Sequence, residues 1–143
     1  MPSFTSQIPN LKQIGPVCQV RIGVSSVTSQ VLSSGGESIP PPIEVAALID
    51  TGAGGTCIKP EVVKTLGLVC RGVTQIATPS TKAHSCNLYD VSIHFPNGVL
   101  LPTIMAIEAP LEGQNIQCLI GRDVLAHGIL IYNGYTDTFS LSF

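Results

Sequence analysis

In three stretches of this chain, apolar and polar residues alternate with a period of two, the spacing of a strand that lays one face on a core. Cys18, Val20, Ile22 and Val24 alternate with Gln19, Arg21, Gly23 and Ser25; Tyr89, Val91, Ile93 and Phe95 alternate with Asp90, Ser92 and His94; Phe139, Leu141 and Phe143 alternate with Ser140 and Ser142. A fourth run, Ile43–Ile49, is apolar apart from Glu44 and reads as a strand covered on both faces. Pro96-Asn97-Gly98 and Asn133-Gly134 are hairpin signals, because Asn and Gly tolerate the positive φ of tight connections. Ser26–Pro42, with its Ser-Ser-Gly-Gly and triple-proline segments, reads as a surface loop. Two short helices are expected. One opens at Lys59-Pro60-Glu61, turns Val62, Val63 and Leu66 inward and stops at Gly67; the other runs from about Arg122 to His127 and stops at Gly128. The pattern predicts an all-β domain of many short strands, closed or nearly closed on one core.

A length of 143 residues allows one such core, and 44% hydrophobic against 11% charged residues excludes a disordered chain. The organisation expected is an N-terminal arm over 1–16 and a single domain over 17–143. A net charge of −2, no tryptophan and no basic patch argue against a nucleic-acid partner. No apolar run reaches the roughly 20 residues that cross a bilayer, so no membrane partner is expected. The start, Met1-Pro2-Ser3-Phe4, lacks the features of a signal peptide and reads as that of a free-standing product. Five cysteines without a CxxC pair point to reduced thiols and a cytoplasmic location. His84 and Cys86 lack a second ligand pair at metal spacing, so neither a metal nor another cofactor is expected.

The residues that carry chemistry lie at the end of the apolar run, in Ala47-Leu48-Ile49-Asp50-Thr51-Gly52-Ala53. An acidic residue directly after five apolar ones leaves the core at a turn, with a glycine that lets another backbone approach. Alone, the triplet reads equally as a solvated turn closing a strand. A second buried segment, Gln117-Cys118-Leu119-Ile120-Gly121-Arg122-Asp123, also ends in glycine before a helix. Taken together, the two segments resemble the retropepsin-like aspartic peptidases, in which a strand ending in hydrophobic-Asp-Thr/Ser-Gly-Ala is followed, near the C-terminus, by hydrophobic-hydrophobic-Gly and often Arg with Asp or Asn.

That resemblance implies an acid-protease fold assembled as a two-fold homodimer. It also implies aspartic endopeptidase activity on a peptide or protein substrate. Asp50, Thr51 and Gly52 would form the catalytic loop, with Thr51 bonding across the two-fold axis and Gly52 offering its carbonyl to substrate. Ala53, Ile76, Ala77 and Thr78 would contact substrate, while Leu119, Ile120, Gly121, Arg122 and Asp123 would support the loop from behind. The chain holds a single such triplet, and the chemistry needs one ionised and one protonated carboxylate, so a second copy must supply the other. A flap over the cleft is expected from arms at Val73–Ala77 and His84–Leu88, with Thr78-Pro79-Ser80-Thr81-Lys82 as a tip without glycine. Arg122 in the family pairs with an acid four residues after the catalytic aspartate. Here that residue is Gly54, leaving Asp123 or the other chain as substitute.

The remaining candidates have plainer readings. Cys57 reads as a small core residue, not a nucleophile; His94 reads as solvated on a polar face, and His127 as a helix C-terminal contact. Ile76, Ile104, Ile120 and Val124 are candidates for apolar subsite walls. The competing function is a catalytically weak or inactive dimeric peptide- or protein-binding module on the same fold.

Overall fold

The alternation of strand β2 (Val17–Val24) buries Cys18, Val20, Ile22 and Val24 and leaves Gln19 and Arg21 exposed, but it breaks at the strand's end, where Gly23 and Ser25, expected on the polar face, are buried as well. In this computed structural model, which describes residues 1–78 and 81–143 (for 77, 78 and 81–83 the backbone alone), β2 pairs antiparallel with β3 (Ile43–Ile49). From β3 the sheet continues through β8 (Cys118–Ile120), β4 (Cys57–Ile58), β7 (Leu100–Glu108) and β6 (Thr81–His94) to β5 (Gly72–Thr78). A second pairing, β2 with β6, joins Arg21–Val24 to Val91–His94 and closes the sheet on itself. The ring so formed holds β2, β3, β8, β4, β7 and β6, with β5 outside it, and the inward side chains of the ring share one core.

Ile22, Ile58, Ile93, Ile120, Val91 and Val124 are completely shielded in that core, each contributing about 1.5–3 kcal/mol by leaving water. The expected cover on both faces of Ile43–Ile49 is uneven: Val45, Ala47 and Ile49 are buried, whereas Ala46 and Leu48 are half-buried. Ile120 and Val124, candidates for subsite walls, are fully enclosed and face the core instead. β6 outruns the barrel. Its Leu88–His94 portion pairs with β7, while the stretch ahead of it pairs with β5 alone, so β5 and β6 project as a hairpin. The two expected flap arms fall on these strands; Pro79 and Ser80 of the expected tip lie outside the described residues.

A second sheet is built from the chain ends. β1 (Ser3–Gln7) pairs antiparallel with β10 (Thr138–Ser142), and β10 with β9 (Ile129–Asn133). Phe139 and Leu141 face inward with Phe4, whose ring meets Phe139 edge-on at 6.1 Å. Leu11, completely buried, anchors the stretch ahead of Val17 in the same core.

Among the described residues four helices occur where two were expected. α3 (Pro60–Leu66) has proline in its first turn and Gly67 at φ 62° beyond its end, as the sequence dictates. α4 (Arg122–Leu125) follows Gly121. α1 (Leu11–Ile14) and α2 (Ser26–Ser34) are additional, and α2 replaces the first half of the expected loop. Its start is fixed by Ser25, whose Oγ accepts the Thr28 N–H at 3.1 Å. No residue of α2 is buried, so hydrophobic periodicity gave no sign of it.

Candidate active site

Asp50 stands where β3 ends, and backbone bonds hold it on both sides. Its N–H donates to the Ile120 carbonyl at 2.9 Å, extending the parallel β3–β8 ladder by one step. The Ala53 N–H returns to the Asp50 carbonyl at 3.3 Å, closing the turn. The carboxylate itself accepts the Gly52 N–H on Oδ1 at 2.8 Å. That bond engages Oδ1 alone; Oδ2 accepts no hydrogen bond from the described residues of the chain. Asp50 is half-buried, and Thr51 and Gly52 are exposed, so the loop presents the carboxylate on an open surface of the protomer.

Behind the loop lies Gly121. A Cβ there would sit 2.6 Å from the Gly55 carbonyl carbon and oxygen and 3.1 Å from the Ala53 oxygen, a space open to glycine alone. Arg122 follows, donating its N–H to the Ala53 carbonyl at 2.9 Å and its Nη1 to the Thr51 carbonyl at 2.8 Å. The guanidinium therefore clasps the loop through a main-chain oxygen and crosses Gly54, where a side chain would meet Nη2 at 3.6 Å. Of the two substitutes expected for the Arg122 partner, Asp123 or the other chain, Asp123 pairs elsewhere. Its Oδ1 accepts the Thr56 hydroxyl at 2.8 Å, and its Oδ2 accepts the Thr56 N–H at 3.1 Å.

Thr56 is the residue that sequence reasoning missed. It is completely buried, and its Oγ1 also accepts the Gly121 N–H at 3.1 Å, so one hydroxyl joins the two loops. The available signal was a β-branched hydroxyl after Gly54-Gly55 in an otherwise apolar approach to β4. The exposed Thr51 hydroxyl has no hydrogen-bond partner among the described residues of its own chain.

One row of register partners crosses the sheet beside the loop: Leu48 with Leu119, Leu119 with Cys57, and Cys57 with Ile107. Their side chains share the face opposite Ala47, Ile49, Cys118 and Ile120, and Ile107 Cδ1 reaches to 2.9 Å from where a Gly55 side chain would begin. This row is an apolar wall next to the carboxylate. Burial, and after it the charges of Asp123, Cys86 and Asp50, pushes the Cys57 thiol up to about 11. It stays protonated and is a poor nucleophile. Ala53 is half-buried in the Asp50 loop; Ile76, Ala77 and Thr78 lie on the projecting hairpin.

No protein-family model matches the chain, and no curated protein matches it in sequence. Its fold does have counterparts among solved structures. A retropepsin-like aspartic protease from Rickettsia conorii superposes with a TM-score of 0.60 at 12% identity, covering 99% of this chain and 90% of that one. The retroviral protease-like domain of Ddi1 from Leishmania major gives a looser likeness, a TM-score of 0.43 at 14% identity over 81% and 80% of the two chains. At such identities the likeness speaks for the fold alone: this chain has a retropepsin-like, all-β fold.

Proposed function

We propose that the protein is an aspartic endopeptidase that works as a two-fold homodimer, with Asp50 of each protomer forming one shared site. The observation that carries this reading is the Asp50 carboxylate, held by the Gly52 N–H at 2.8 Å on an open loop that Gly121, Arg122 and Thr56 brace from behind. A surface turn has no need of such bracing; a group that must meet a partner within tenths of an ångström does.

With two Asp50 side chains about 3 Å apart, both cannot ionise cheaply, and the pair shares one proton. The ionised carboxylate takes a proton from water as its oxygen attacks the scissile carbonyl carbon. The protonated one donates its proton to the carbonyl oxygen. Proton return to the amide nitrogen then breaks the C–N bond and releases an amine and an acid. The wall of Leu48, Leu119, Cys57 and Ile107 supports a preference for apolar side chains next to the cut, and the β5–β6 hairpin would cover the substrate.

The edge strand β9 supports dimerisation. Ile129 and Ile131 are more than half exposed, and the stretch Gly128–Thr136 carries no charge. An unguarded edge of this kind favours pairing with another strand. A second β9, running antiparallel about a two-fold axis, would extend the terminal sheet across both protomers. The five free cysteines support a reducing, cytoplasmic setting.

The test compares wild type with Asp50→Asn on a peptide library between about pH 4 and 7, alongside sedimentation across concentration. Cleavage by the wild type alone, at concentrations where dimer is present, is the expected result. Equal cleavage by the mutant would remove the proposal.

A further inference from the structure

The chain holds a cavity of about 370 Å³ away from the Asp50 loop, between α2 on one side and the ends of β2, β6 and β7 on the other. Gly23, Ser92 and His94 line it from the barrel, and Pro40, Pro42 and Leu100 are among its apolar walls. In the β2–β3 ladder Val17 stands opposite Leu48, two residues ahead of Asp50, while Gly23 lies six residues further along β2. At about 3.3 Å per residue, the cavity is roughly 20 Å from the carboxylate.

We propose that this cavity binds a small, flat, uncharged molecule that carries one hydroxyl or carbonyl group, as a phenol does. None of the residues lining the cavity is Asp, Glu, Lys or Arg. His94 was expected in solvent but is half-buried, and burial, with the neighbouring Arg21 charge, holds its imidazole below the ordinary value. A neutral imidazole offers one donor and one acceptor. Its Nε2 lies 3.4 Å from the Oγ of Ser92, a long contact, and Ser92 is only 6% exposed. A buried hydroxyl with so loose a partner gains from a ligand that completes its hydrogen bonding.

Size and walls agree with that chemistry. The volume lies at the small end of ligand pockets, and proline rings form rigid walls suited to a flat ring. The floor exists because position 23 is glycine: a Cβ there would come within 2.9 Å of Ser92 Oγ and 3.3 Å of Pro42 Cγ. The walls are also wet in the isolated protomer, with Ile39 and Leu100 each nearly half exposed, so a ligand would shield apolar surface. The proposal is independent of catalysis at Asp50.

The test is an amide NMR titration of the full chain with 4-ethylphenol, with benzoate and a proline-rich peptide as comparisons. The expected result is saturable shifts at Gly23, Val24, Ser92, His94 and Leu100, at a dissociation constant on the order of 1 mM for so few atoms. Benzoate should bind at least tenfold more weakly. Ser29→Phe, which fills the cavity from the half-buried face of α2 without touching the barrel core, should weaken binding at least tenfold. His94→Phe should reduce the preference for 4-ethylphenol over ethylbenzene. Shifts confined to the Asp50 loop, no saturation, tighter binding of the peptide, or an unaffected Ser29→Phe would each overturn the proposal.

Discussion

Asp123 grips Thr56 with both carboxylate oxygens, taking its hydroxyl at 2.8 Å and its N–H at 3.1 Å, and through Thr56 it reaches the Gly121 N–H. Thr56→Val keeps the shape but leaves the buried Gly121 N–H without its acceptor. An unsatisfied buried donor costs about 1–3 kcal/mol, so denaturant unfolding should show a loss in that range. Under the proposed function, peptide cleavage should fall at least tenfold, because the loop that carries Asp50 loses its rear support. Thr56→Ser retains both hydrogen bonds and should keep most of the activity.

Asp50→Asn should leave the fold alone while abolishing turnover. The side chain makes one internal hydrogen bond, to the Gly52 N–H, and an Asn oxygen can accept it equally. Melting temperature is expected to stay within about 2 °C, since no buried group is stranded. Cleavage should drop by more than about 10³-fold, as removal of an essential acid–base group does. Residual activity above that level would show that the carboxylate is not the catalyst.

Gly121→Ala tests the closest crossing. Its methyl group would need to displace the Gly55 carbonyl, now 2.6 Å from the Cβ position, or push Gly121 and α4 outward. Overpacking of this kind costs about 1–3 kcal/mol. A thermal shift below that range would mean that the loop yields freely and is not braced.

Ile131→Lys places a charge on the exposed edge of β9, where Ile131 is 59% exposed and touches no core. The isolated protomer should keep its stability within about 0.5 kcal/mol. Sedimentation should show a shift toward monomer, and cleavage should fall at least tenfold at low micromolar concentration, recovering as concentration rises. A dimer unchanged by this substitution would place the interface elsewhere.

Asp90 supplies a pH signature. Burial raises its carboxyl, but the Ser25 hydroxyl and the Arg71 guanidinium, both bonded to it, outweigh that and hold it below 3.8. A group whose folded value is depressed adds stability that is present above its unfolded value and is lost as pH falls through the folded one. Wild type should thus lose stability as pH drops below about 4, and Asp90→Asn should lose less over the same interval. At pH 7 the mutant should be less stable by about 1–2 kcal/mol, because a charge-assisted bond from the buried Ser25 becomes a neutral one.

Much of the barrel was legible because period-two alternation follows from the pleat itself. The apolar members of Cys18 to Val24, Tyr89 to Phe95 and Phe139 to Leu141 turned inward as their spacing required, while Gly23, Ser25 and Ser92, expected on the polar faces, are covered as well, and Phe143 is half-buried. α2 was not legible: its helix rests on a serine cap and on contacts made without burying a residue, so composition resembled a loop. The partner of Arg122 was not legible: charge left Asp123 or the other chain as alternatives, whereas geometry gave the Asp123 carboxylate to a buried hydroxyl and Arg122 a backbone carbonyl.

The sequence by itself determined that Asp50 closes an apolar strand, that one triplet is present, and that glycine follows the strand Cys118–Ile120. Those are local facts, set by side-chain periodicity and by the backbone freedom of glycine. Only the tertiary structure decided that Thr56 joins the two loops, that Ile120 and Val124 face the core, and that the chain ends pair with each other through β1 and β10. These depend on which strands become neighbours across 65 or more positions of sequence, a choice made by closing one barrel around one core.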